Sequence, residues 1–181
     1  MTTDRRSFLH RAGAALTLLT LAPRAALAQS APALPASMEL AVTFTVAPPT
    51  TPGRYHKPYV AVWIETEDGK PVRTLTLWRM QDDKGKKWLS ELRRWFRSNG
   101  TLDTTSSATR NPGTYSLAWD GLTDAGRRAP QDRYVLLIEA AREKGPYGRV
   151  RVPVTLAAAP ARFSGPDNGE VTNVSAEYRA R

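Results

Sequence analysis

The sequence predicts a mainly β protein, an immunoglobulin-like β-sandwich of about seven strands with one inserted amphipathic helix. Three observations carry that expectation. Short apolar or alternating runs recur along the chain, and turn signals separate them. The 181 residues include 12 glycines and 14 prolines, which favour turns over a helical bundle. One segment changes to a helical period, where Trp88, Leu89, Leu92, Trp95 and Phe96 mark a single stripe.

The chain opens with Asp4-Arg5-Arg6-Ser7-Phe8-Leu9-His10, which resembles the twin-arginine export motif. An apolar run from Ala12 to Leu21, then Arg24 and Ala26-Leu27-Ala28, follows the charged, apolar and small-residue order of a secretory signal. The apolar run is about half what a membrane span needs. Residues 1–28 are therefore expected to be a signal cleaved after Ala28, with no stable membrane anchor. Residues 29–37 (QSAPALPAS) read as a flexible Pro/Ala linker. Residues 38–181 are the expected immunoglobulin-like domain, exported to the periplasm.

Met38–Val46 is a strand, and a Pro/Gly-rich loop follows it. Tyr59–Thr66 is apolar on both faces and so reads as central. Asp68-Gly69 makes a hairpin turn into Val72–Trp78. The helical stripe spans roughly Lys86–Arg97, with basic residues at other positions, and Gly100 stops it near Asn99. Thr101–Asn111 is polar and aperiodic, hence a loop. Tyr115–Trp119 and Tyr134–Ala141 are strands joined by a turn-rich connection. Arg149–Leu156 alternates cleanly, and Pro153 makes it an edge strand. Glu170–Tyr178 is the last strand. Trp63, Trp119 and Tyr134 are expected to carry the core.

Composition excludes several classes of chemistry. With no cysteine there are no disulfides, thiol nucleophiles or iron–sulfur clusters. Of the two histidines, His10 leaves with the signal. His56 alone builds neither a histidine metal cage nor a Ser-His-Asp triad, and it reads as a surface residue. Asp82, Asp83, Asp120, Asp124 and Asp132 lie in turns; Asp120 and Asp124 could share a hard cation, although turn-capping is their commoner role. No catalytic residue is assigned, and the chain is not expected to be an enzyme by itself. The net charge of +9 falls to +6 once the signal, with four arginines and one aspartate, is gone. Despite that basic balance, an exported protein without a nucleic-acid motif is not expected to bind nucleic acid.

Two resemblances add to this reading. Trp119-Asp120-Gly121, Asp124, Gly126 and Tyr134 resemble the immunoglobulin-like repeat of flagellar hook-capping proteins. That resemblance implies a core Trp119 and a tight Asp120-Gly121 turn with positive φ. The glycine usual before the tyrosine is replaced around Asp132-Arg133. More broadly, Tyr59 to Tyr178 resembles the periplasmic family called domain of unknown function two-two-seven-one. The matching pieces are Val60–Glu65 (VAVWIE), Val72–Trp78 (VRTLTLW), Trp88–Trp95, Ala108–Tyr115 (ATRNPGTY), Trp119–Gly126 and Leu137–Gly145. The resemblance implies the company of PepSY-type membrane proteins and flavin transferases, and hence extracytoplasmic electron transfer.

Within that stretch, Asp103-Thr104-Thr105-Ser106-Ser107-Ala108-Thr109 resembles the D-x-x-[S/T]-G-A-[S/T] site of proteins that carry covalent FMN. There a flavin transferase splits FAD and leaves FMN on the last hydroxyl as a phosphoester. Carried over, Asp103, Ser106 and Ala108 match the pattern, and Thr109 is the acceptor. Ser107 departs from it, since glycine is expected there. Arg110 is placed to neutralise the phosphate. Trp78, Trp88 or Trp95 could stack on the flavin ring.

The leading expectation is a periplasmic accessory of electron transfer, with FMN on Thr109, working beside a PepSY-type membrane protein. The alternatives are a cofactor-free immunoglobulin-like module that binds a protein partner, and a sandwich that binds carbohydrate or another small ligand through its tryptophans.

Overall fold

Alternation in β1 (Met38–Val46) sends Met38, Leu40, Val42, Phe44 and Val46 to the interior, and the residues between them stay half-exposed. The computed structural model describes residues 31–50, 55–99, 105–142 and 145–181. β2 (Tyr59–Thr66) is buried on both faces and lies between β3 (Pro71–Arg79) and β6 (Asp132–Ala141). The remaining strands are β4 (Ser106–Ala108), β5 (Gly113–Trp119), β7 (Tyr147–Leu156), β8 (Ala161–Ser164) and β9 (Val171–Ala180). They form two sheets, ordered β5-β1-β9-β8 and β4-β3-β2-β6-β7.

The two sheets enclose one apolar core, as the sandwich class requires. The inward face of β1 meets Val60, Val62 and Ile64 of β2 and Leu136, Ile138 and Ala140 of β6. Trp119 meets Tyr134 edge-on, with ring centroids 5.5 Å apart. The turn beyond Trp119 is the expected one: Gly121 has φ +79°, and the Leu122 N–H donates to Asp120 Oδ1 at 2.9 Å. Gly69, with φ +84°, closes the β2–β3 hairpin, where its N–H donates to Thr66 O. Pro153 lies on β7, the edge of the five-stranded sheet.

Several details differ from the sequence reading. Two short strands, β4 and β8, join the seven expected. Residues 31–37, expected to be loose, dock on the domain: Leu34 is buried, its N–H donates to Ala129 O at 2.8 Å, and Ala33 bridges Pro130. Trp63 lies on the outer face of its sheet, in a second core with Tyr59, Ala61, Leu77, Leu137 and Trp95. The five-stranded sheet therefore separates two apolar layers.

The expected single helix over 86–97 is broken into three pieces. They are α1 (Asp83–Lys86), a 3-10 turn (Leu89–Glu91) and α2 (Arg93–Asn99). The stripe still reads correctly at Leu89, Leu92 and Trp95, which face the sheet, whereas Phe96 is exposed. The break has a cause in the sheet below. The Glu139 carboxylate rises from β6 and accepts the N–H groups of Arg94 and Trp95, at 2.9 and 2.8 Å. A continuous helix would give those N–H groups to carbonyls four residues back. They instead become the free donors of a new first turn, and a buried carboxylate satisfies them. Tyr147 Oη donates to the same carboxylate at 2.6 Å. Arg94 also reaches Glu65 at 2.7 Å, and Glu65 accepts from Trp63 Nε1 at 2.9 Å. This helical layer is the crossover between β3 and β4, which pair in parallel.

A second buried charge pair joins the sheets at one end. Arg142, just past β6, meets Glu170, just before β9, at 2.8 Å, and both side chains are buried. Arg142 also donates to Ala47 O, and its guanidinium lies 4.7 Å from the Tyr55 ring centroid. Burial raises the Glu170 pKa from its ordinary 4.5, and Arg142 works against that shift.

Two outcomes follow from these buried charges. Glu139→Ala is expected to cost about 3 kcal/mol in urea unfolding, because two helix N–H groups and a tyrosine hydroxyl lose their acceptor. Trp95 emission should shift to the red as α2 loosens, and Glu139→Gln should recover part of the loss. Glu170 binds its proton more tightly when folded, so its contribution to stability is fullest in acid and declines as pH rises past 4.5. Unfolding measured from about pH 4 to about pH 7 should show wild type losing stability relative to Glu170→Gln. A constant difference between the two proteins would refute the assignment.

Candidate functional site

The segment that resembles a flavin attachment site falls at the edge of the five-stranded sheet. Asp103 and Thr104 lie outside the described residues. Ser106, Ser107 and Ala108 form β4, paired in parallel with Leu77, Trp78 and Arg79 of β3. This corrects the expectation of an aperiodic loop over 101–111. Three small residues suffice because β3 presents a free edge and the helical layer brings the chain back beside it.

The hydroxyls on β4 have distinct surroundings. Ser106 Oγ accepts from Nε of the buried Arg79 at 3.2 Å. Arg79 Nη1 in turn donates to Met80 O at 2.6 Å. Ser107 Oγ is buried and makes no hydrogen bond. This is the position where the attachment pattern calls for glycine, so the extra hydroxyl sits where the fold offers it no partner. Ala108 is exposed, and Thr109, just beyond the strand, is half-buried.

Thr109 lines a cleft of about 200 Å³ on the helical side of the sheet. Tyr55, His56 and Lys57 come from the loop before β2, and Tyr59 and Ala141 come from the sheet. Met80 follows β3, while Trp88 and Glu91 belong to the helical layer. Tyr59 Oη donates to Gly85 O at 3.0 Å, which ties this wall to α1. Gly85 fits only as glycine, since a Cβ there would stand 2.2 Å from Met80 O. Burial raises the Tyr55 pKa, and the nearby Arg142 opposes that rise. The phenol is therefore a neutral group at the cleft.

Of the three tryptophans considered as ring-stacking partners, only Trp88 lines the cleft. Trp78 and Trp95 are fully buried in the two cores. Arg110 was expected to neutralise a phosphate on Thr109. Its guanidinium lies over the Trp78 ring at 4.6 Å and the Tyr115 ring at 5.4 Å, on the main-core side. Tyr115 holds the same segment by donating to Asn111 O at 2.6 Å. His56, read from sequence as an ordinary surface histidine, is a wall of the cleft. No local signal pointed to residues 55–57 or Met80, because only the β4-β3-β2 pairing brings them to Thr109.

The turn carboxylates have structural partners. Asp120 Oδ1 caps its own turn, and Asp124 Oδ1 accepts the Thr74 N–H at 3.3 Å and faces Arg73 at 3.8 Å. Among the described residues no group of three or more His, Cys, Asp or Glu side chains converges as a metal site would. No helix among them is long and apolar enough to cross a membrane.

No curated protein and no solved structure matches the chain. A family model does, over residues 39–173, which takes in both glutamates under the helical layer and the whole β4 segment. The chain therefore belongs to DUF2271, a family described as predicted periplasmic protein.

Proposed function

We propose that this protein is a periplasmic accessory of electron transfer that carries FMN through a phosphoester on Thr109. It is exported by the twin-arginine route and cleaved near Ala28. A flavin transferase would load it, and a PepSY-type membrane protein would be its electron partner. The observation that supports this most is the position of Thr109. The last hydroxyl of the attachment-like pattern lines the cleft that contains Trp88, Tyr55 and Tyr59.

The site's dimensions suit a partly exposed cofactor. Pockets that enclose a drug-sized ligand usually exceed about 300 Å³. A cleft of about 200 Å³ accommodates part of a flavin and leaves the rest facing solvent. Bound there, FMN would supply the redox chemistry. The chain's own residues hold and shield it: Trp88 and Tyr59 offer aromatic surface, and Met80 adds a polarisable apolar wall.

Attachment joins the FMN phosphorus of FAD to the Thr109 hydroxyl oxygen. The diphosphate bond breaks, AMP leaves with the bridging oxygen, and the hydroxyl proton is released. Thr109 must therefore reach into the transferase. β4 is three residues long and pairs on one side only, so few hydrogen bonds resist its release.

Intact mass tests this reading on protein recovered from the periplasm of cells co-expressing a flavin transferase. Wild type should carry one FMN and Thr109→Ala none. Ser107→Gly should raise the modified fraction, because it restores the backbone freedom of the pattern. Bare polypeptide mass in wild type and Ser107→Gly alike would overturn the proposal and leave a cofactor-free binding module. A mature chain that does not begin near Gln29 would overturn the cleavage site.

A further inference from the structure

Resting on the reading of Thr109 as the acceptor, we propose that Lys57 receives the phosphate at that site, and that Arg110 does not. The sequence placed Arg110 next to Thr109 and made it the obvious counter-charge. The structure separates the two. Thr109 lines the cleft on the helical side of the five-stranded sheet. The Arg110 guanidinium covers Trp78 and Tyr115 on the main-core side. Turning it toward the cleft would break two cation–π contacts and uncover the edge of the core.

Among the described residues, three other cations near the cleft are already engaged: Arg142 pairs with Glu170, Lys87 lies over the Trp88 ring at 5.0 Å, and Arg79 is held inside the sheet edge. Arg79 is buried, and it donates to Ser106 Oγ and Met80 O. That leaves the loop before β2. Lys57 is exposed and lines the cleft together with Thr109. A lysine suits this task because its ammonium is a mobile point charge that can follow a phosphate held on a threonine. Glu91 lines the same cleft and opposes an anion there. The site thus pairs a cation with an acid that tempers its affinity.

The test uses the unmodified mature protein, with FMN and riboflavin as paired probes that differ by the phosphate. Binding is followed by quenching of flavin fluorescence at low salt. Wild type should bind FMN about tenfold more tightly than riboflavin, a difference of about 1.4 kcal/mol. Lys57→Gln should erase that preference, Glu91→Gln should enlarge it, and Arg110→Gln should leave it unchanged. Lys57 is exposed, so its substitution is compatible with folding, and circular dichroism checks the other two. Equal binding of the two flavins, binding of neither, or a preference that survives Lys57→Gln would overturn the inference. FMN on Thr109 by mass without the preference would sink this inference alone. The preference with bare mass would sink covalent attachment alone.

Discussion

One buried carboxylate organises the outer half of this molecule. Glu139 rises from the central region of a β-sheet, where an acid is costly unless its oxygens are filled. Two α2 N–H groups and the Tyr147 hydroxyl fill them. The arrangement works in both directions. The helix loses its orphan donors, and the sheet gains a lid over an apolar face that would otherwise be exposed. Burial and the carboxylate together push the Tyr147 pKa up to about 12, so the phenol remains a donor across the physiological range. Arg93 stacks over the Tyr147 ring at 4.8 Å and closes the rim of the lid.

The cleft depends on that lid. Trp88 and Glu91 come from the helical layer, and Tyr59 is held to α1 through Gly85 O. The capped α2 follows directly on the segment that carries Trp88 and Glu91. The same layer returns the chain beside β3 in the parallel sense, which is how Ser106, Ser107 and Ala108 come to lie on the sheet edge. The insertion in the sandwich therefore builds the cleft wall and delivers β4 and Thr109 to it.

Most strands were legible because burial on one or both faces leaves a period in the residues. β1 reads as alternation, β2 as an unbroken apolar run, and Pro153 marks an edge. The helix was legible as a stripe but not as an unbroken rod, since its break is imposed by Glu139, a residue more than forty positions along the chain. β4 has no period to read, because its three small residues pair for lack of any competitor at the edge of β3. Thr109 could be singled out from its neighbours in sequence. Lys57 and His56 could not, since nothing in a Pro/Gly-rich loop marks which face of the fold it borders. The side taken by Arg110 was hidden for the complementary reason: adjacency in sequence does not fix which side of a sheet a side chain takes.

A redox group tethered to a surface has to satisfy two opposed demands. The acceptor must be loose enough to enter a transferase, and the product must be held firmly enough to fix a potential and an orientation. Under the proposed function, β4 would meet the first demand by being short, parallel and paired on one side. Arg110 and Tyr115 would meet the second by anchoring the chain just beyond Thr109 to the rings of the main core. The tether is then hinged on its upstream side, where Ser107 carries a buried hydroxyl with no partner. An unsatisfied group at that point weakens the docked form of β4 relative to a released one, where water can hydrate the hydroxyl. On this argument the serine that breaks the attachment pattern restricts local backbone geometry, yet it also favours release of the strand that must leave the sheet. The two effects act on different steps, presentation of the segment and chemistry at Thr109.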